Sequence, residues 1–70
     1  MISAKEFRTW QASIDVEGRP IRGIEIARRF GLAAETVSRF RQDGVRDGSE
    51  PLMRLAMAAM AAEIKPWGMP

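Results

Sequence analysis

A single glycine, Gly31, separates two short runs whose apolar residues recur at helical spacing. Before it, Ile26, Ala27 and Phe30 share one helix face, while Glu25, Arg28 and Arg29 share the other. After it, Val37 and Phe40 repeat the pattern in a run that closes at Gly44. Glycine enters the left-handed backbone region without steric cost, so residue 31 is a natural corner. The pattern predicts one helix over residues 24–30, with Gly23 as a tolerable N-cap, and another over residues 34–43. Val45 is expected to return to the core.

The flanking segments supply two more helices. Ser3 and Glu6 have the spacing of a capping box, and Ile2 and Phe7 that of a hydrophobic staple. Phe7, Trp10 and Ile14 then form one apolar stripe on a helix over residues 4–13. Residues 15–20 read as a loop punctuated by Gly18 and Pro20. Gly18-Arg19-Pro20 also has the composition of a minor-groove arm, and one tripeptide does not decide between the two. A last helix is expected over residues 50–64, with Ser49 as N-cap and Pro51 in its first turn. From Leu52 to Ala62 its only polar residue is Arg54, so it is apolar nearly all round. Leu52, Leu55, Ala56 and Ala59 make one stripe, and Met53, Met57, Met60 and Ile64 another. One small core can bury only one of them. The methionine stripe is expected to meet a second subunit, because Met and Ala adapt to close approach. The competing reading has the tail, residues 65–70, fold back so that Trp67 covers it. With no β alternation and no internal repeat, the chain is expected to be a single all-α domain over residues 1–70, compact, with four to five helices.

Composition narrows the function. At 70 residues with no cysteine, the chain lies near the lower limit for one core and has no disulfides to reinforce it. Without Cys or His it lacks the usual zinc ligands and any Cys- or His-based nucleophile–base pair. The expectation is therefore a protein that is not an enzyme, with no cofactor and no metal. The polar start MISAKEFR reads as neither signal peptide nor membrane anchor, which suits a cytoplasmic, nucleoid-associated protein. The net charge of +2 is small, but its distribution is uneven. Residues 19–46 hold seven arginines, at positions 19, 22, 28, 29, 39, 41 and 46, against Glu25, Glu35 and Asp43. The whole positive excess lies on the glycine-jointed segment, as expected of a nucleic-acid footprint. A solvated Arg-rich surface would have the same composition.

Residues 23–42 resemble the helix-turn-helix of bacterial and phage DNA-binding proteins. Ala27 stands where a small residue lets the second helix pass, and Gly31 follows four residues later as the turn. Ile26, Phe30, Leu32, Val37 and Phe40 occupy the apolar positions that lock the pair. The wider chain is similar to the Cro/CI-like (XRE-type) repressor family. Thr36-Val-Ser-Arg-Phe40 is similar to the recognition-helix run T-V-S-x-W, and the Ala/Met-rich stretch after Leu55 is similar to that of short family members. There are two departures. The 15–20 link is longer than usual, and Ala33 and Ala34 replace the customary polar cap and first-turn residue.

The resemblance implies a lambda-repressor-like fold and a mechanism. The N-terminal half of the helix over residues 34–43 would lie in the major groove of double-stranded DNA, binding through residues 33–42, while the preceding helix crosses the backbone. Base-facing positions map onto Ala34, Glu35, Ser38 and Arg39. Arg22, Gly23, Arg28, Thr36, Arg41, Gln42 and Arg46 would lie near phosphates or the groove edge. Arg28 and Arg29 cannot both aim at one strand, and Arg29 could instead pair with Glu25 as a surface i, i+4 bridge. The implied function is a dimeric transcriptional repressor of phage or mobile-element type, a homodimer on an inverted repeat. No separate small-molecule ligand domain is expected. Two alternatives remain: an excisionase-like recombination factor, and an interaction module of antitoxin or antiactivator type.

Overall fold

The structure is a computed structural model and describes residues 1–65, 67 and 68. In chain order it comprises α1 (Ala4–Ser13), β1 (Asp15–Val16), β2 (Arg19–Pro20), α2 (Gly23–Phe30), α3 (Ala34–Asp43) and α4 (Glu50–Ala61). The fold is mostly α, with one two-stranded antiparallel sheet. None of its described helices is long and apolar enough to cross a membrane.

Helix α1 begins where its cap predicts. Ser3 Oγ accepts from the Glu6 amide at 3.0 Å, satisfying one orphan donor of the first turn. The Glu6 carboxylate, expected to reach back to the Ser3 amide, bonds Arg54 of α4 at 2.7 Å instead. Ile2 and Phe7 are both fully buried. Ile2 also forms an antiparallel bridge with Val45, through Ile2 N–H to Val45 O at 3.0 Å and the reverse bond at 2.8 Å. This bridge ties the N-terminal residues to the segment that leaves α3. It leaves no room at Gly44, where a Cβ would stand 2.3 Å from the Ile2 carbonyl oxygen.

The expectation of an all-α chain needs one correction. Residues 15–20 are a hairpin, with Val16 paired to Arg19 and Asp15 to Pro20. Glu17 and Gly18 both have positive φ, 53° and 83°, the signature of a type I′ turn that matches strand twist. Two-residue strands are too short to show alternation, and Glu-Gly stands where Asn-Gly would have signalled the turn. The ladder continues through Ile21 N–H to Ile14 O at 2.9 Å. The buried Gln11 side chain then donates to Ile21 O at 2.9 Å.

Helix α2 starts at Gly23, with Arg22 rather than Gly23 as its N-cap. The Glu25 carboxylate accepts from the Arg22 amide at 3.0 Å and takes the Arg19 guanidinium at 2.8 and 3.3 Å. One carboxylate thereby caps α2 and fastens the hairpin to it. The Glu25–Arg29 bridge weighed above is therefore not made. At α4 Ser49 stands at the N-cap as expected, its carbonyl taking the Met53 amide at 3.0 Å, but its backbone already lies in the helical region and its side chain makes no capping bond. The helix stops at Ala61, short of residue 64. Glu63 turns left-handed at φ 58°, and Ile64 N–H closes onto Ala59 O at 2.9 Å.

The core gathers Ile2, Phe7, Ile14, Ile21, Ile26, Ala27, Val37 and Val45, roofed by Met53, Met57 and Met60 of α4. This reverses the expected setting of α4. The methionines face their own core, while Leu52 and Leu55 are 75% and 69% exposed. Two contacts fix the rotation of the helix. Trp10 Nε1 donates to the Met57 carbonyl at 3.0 Å, and Arg54 is held by Glu6 and Glu50. Flexible thioether chains suit the irregular space beside Trp10, Phe30 and Phe40, which pack partly buried against this core. Ile64 and Trp67 are exposed, so the tail does not cover α4 through Trp67. The rest of the expected fold-back segment, Pro66, Met69 and Pro70, lies outside the described residues.

Gly44 has φ +85° and no space for a Cβ, whereas Gly31 has φ +69° and open space around it. Gly44→Ala should cost at least about 3 kcal/mol and Gly31→Ala about 1–2 kcal/mol in urea denaturation. Equal costs at the two sites would contradict the bridge. The Arg19 guanidinium and the Arg22 amide hold the Glu25 carboxyl down to about 2 from its ordinary 4.5. A depressed folded-state value stabilises the fold above pH 4.5, and that stability is lost as pH falls toward 2. The carboxyls of Glu6, beside Arg54, and Glu50, beside the N-terminal amine, are lowered too and act in the same direction. Glu25→Gln should therefore flatten the acid dependence of stability in this window. A wild-type profile in that variant would show that the pair contributes nothing.

Candidate nucleic-acid interface

The joint between α2 and α3 is built from backbone geometry. Gly31 is left-handed at φ 69°, ψ 31°, its amide bonds Ala27 O, and Leu32 N–H reaches the same carbonyl at 2.9 Å. Ala33 is extended and serves as the N-cap of α3 without any side-chain oxygen. α2 packs directly on α3, and α1 packs on α3 from another side. At the start of α2 a Cβ on Gly23 would lie 3.6 Å from Val37 Cγ1, so the two helices meet at the N-terminal half of α3.

That packing sorts the side chains of α3. Val37 is buried, and Thr36 and Phe40 are half-buried. Ala34, Glu35, Ser38, Arg39 and Gln42 are exposed and recur at i, i+1, i+4, i+5 and i+8, one continuous outer face. Glu35, Ser38, Arg39 and Gln42 give this face hydrogen-bonding groups of both senses. Ala34 gives it only a methyl. Gln42, expected at the groove edge, lies on the same strip as the positions expected to face bases. Arg22 is exposed at the α2 cap, beside the Gly23–Val37 contact. Arg41 and Arg46 are exposed at the far end of α3 and just beyond it, and the Arg41 carbonyl accepts from the Arg8 guanidinium.

Arg28 is placed elsewhere. With Arg29 it edges a groove between α2 and α4 whose walls include Phe30, Ala56, Ala59 and Met60. The outer face of α3 and this groove are separate features. The expected partner-facing residues Met53, Met57 and Met60 are core residues, and only Ile64 of that set is exposed.

The charges are also sorted. Glu25 takes Arg19, whose guanidinium is in turn stabilised above its ordinary value. Glu6 and Glu50 hold Arg54, and Asp47 and Glu50 hold the N-terminal amine. Among the described residues, no carboxylate pairs with Arg22, Arg28, Arg29, Arg39, Arg41 or Arg46. The acids so engaged are Glu25 at the hairpin and Glu6, Asp47 and Glu50 around the α1–α4 seam, while Glu35 and Asp43 of α3 pair with none of these arginines. The sequence misled at two points here. Arg19 belongs to the scaffold, although it counts toward the positive excess, and the stripe of α4 left open is that of Leu52 and Leu55 rather than the methionines. No family model matches the chain, and neither a curated protein nor a solved structure shows significant similarity to it.

Proposed function

We propose that the chain is a sequence-specific DNA-binding regulator, that α2 and α3 act as a helix-turn-helix, and that α3 enters the major groove. The observation that carries this reading is the outer face of α3. It presents Glu35, Ser38, Arg39 and Gln42 to solvent, flanked by uncompensated Arg22, Arg41 and Arg46. A solvated Arg-rich surface would not require hydrogen-bonding groups on one strip with cations at both ends.

Each group then has a role set by its chemistry. Arg39 binds guanine through two parallel hydrogen bonds, worth about 1–3 kcal/mol of discrimination. Glu35 accepts from a cytosine amine, Ser38 accepts or donates, and Ala34 touches a thymine methyl at most. Gln42, one turn past Ser38 and Arg39, reads or brackets the next base step. Arg22, Arg41 and Arg46 neutralise phosphates, with the Gly23 amide at the start of α2 and the Thr36 hydroxyl as uncharged donors. Arg28 is left out of this set because it lies on the α2–α4 groove. Two copies related by a two-fold axis would read half-sites about 34 Å apart, an inverted repeat.

The test is a gel shift on DNA upstream of the chain's own gene, at two salt concentrations, with scrambled DNA beside it. Affinity should fall steeply as salt rises, because bound phosphates release counterions. Arg39→Ala should erase about 10- to 100-fold of preference for the best site. Arg22→Ala should weaken every sequence alike and lower the salt slope by about 1. Salt-insensitive binding, or an Arg39→Ala protein with unchanged preference, would overturn the placement of α3.

A further inference from the structure

Helix α4 leaves an apolar surface open, and the surface has two unlike halves. Its N-terminal half projects two large side chains, Leu52 and Leu55, that touch no core. Its C-terminal half borders a groove of about 790 Å³, walled by Phe30, Ala56, Ala59 and Ile64. Ala59 lies both on the groove wall and on the stripe of Leu52 and Leu55, so projection and groove form one continuous strip.

We infer that the occupant of this groove is a second copy of the chain, packed with its α4 antiparallel to the first. A two-fold contact must be self-complementary. An antiparallel pair satisfies this by setting each N-terminal half against the partner's C-terminal half. Leu52 and Leu55 of each copy then fill the groove of the other, while small Ala59 near the axis lets the helices approach.

Charge favours the same arrangement. The groove is edged by exposed Arg28, Arg29 and Lys65, with Glu63 as its one acid. At the opposite end, Asp47 just before α4 and Glu50 in its first turn balance the N-terminal amine and Arg54, and the Asp47 side chain is still 87% exposed, so this end carries no such excess of cations. Antiparallel packing brings this balanced end, with its exposed Asp47, to the partner's basic rim, whereas parallel packing would set the basic rims together. Arg54, the one cation within the helix itself, is already neutralised by Glu6 and Glu50. A 12-residue helix spans only about 18 Å, a short seam for the roughly 800 Å² per partner of a standard interface. The groove supplies the added width.

The test needs no DNA, so its failure and that of the DNA reading are distinguishable. In sedimentation the chain should weigh twice its 7.8 kDa at high concentration and dissociate on dilution. Leu55→Glu and Ala59→Glu should each give the monomer with unchanged circular dichroism, because neither residue belongs to the buried core. The chain lacks cysteine, so single introduced thiols report direction cleanly. On oxidation Ala59→Cys should give a covalent dimer. Leu52→Cys should not, since antiparallel packing separates its two copies by on the order of 20 Å. A wild type that stays monomeric overturns the inference, even if it captures another protein. So does a dimer that survives both glutamate substitutions, or ready cross-linking through Leu52→Cys.

Discussion

Two backbone hydrogen bonds between Ile2 and Val45 set the frame for the rest of the molecule. They bring the entry to α1 and the exit from α3 together, and both residues are fully buried there. The pairing is possible because Gly44 presents no side chain and takes a backbone angle open to glycine. With that closure made, Phe7 reaches Phe40 at 5.6 Å and Trp10 at 5.4 Å, and Trp10 stacks on Phe30 at 6.1 Å. The aromatic row thus joins α1 to the ends of α2 and α3. In a 70-residue chain without disulfides, this row and the methionines of α4 hold together what cross-links would otherwise hold.

Much of this was legible because the residues involved act locally. Ser3 caps α1, Gly31 turns the chain after α2, and α1 and α3 begin and end where the apolar spacing places them. The hairpin escaped because its strands are two residues long and its turn uses Glu-Gly, a pair with a weak signature. Ser49 stands at the N-cap of α4 where its residue type places it, yet its hydroxyl makes no capping bond. The preceding turn had already brought its backbone into helical geometry.

The rotation of α4 is a different kind of problem. Its sequence is apolar on every side, so periodicity names two stripes and cannot rank them. The ranking comes from distant partners, the Trp10 indole and the Glu6 carboxylate, whose contacts span more than forty positions of chain. At the candidate site the same division holds. The exposed strip from Glu35 to Gln42 followed from the burial of Val37 and Phe40. The distribution of arginines between scaffold and surface did not, because it depends on which carboxylates the fold consumes. Arg19 was spent on Glu25 only once the hairpin had brought the two together.

The indole bond from Trp10 to the Met57 carbonyl gives the molecule a built-in optical probe. The chain has two tryptophans, and they stand in opposite surroundings. Trp10 is wedged between α1, α2 and α4 with its N–H occupied, while Trp67 is fully exposed to water. Emission from the first reports whether α4 is seated on the core, and emission from the second provides a water-exposed reference in the same spectrum. With Trp67 replaced by phenylalanine, the remaining fluorescence would follow the docking of one helix, in a protein small enough for most signals to average over the whole chain.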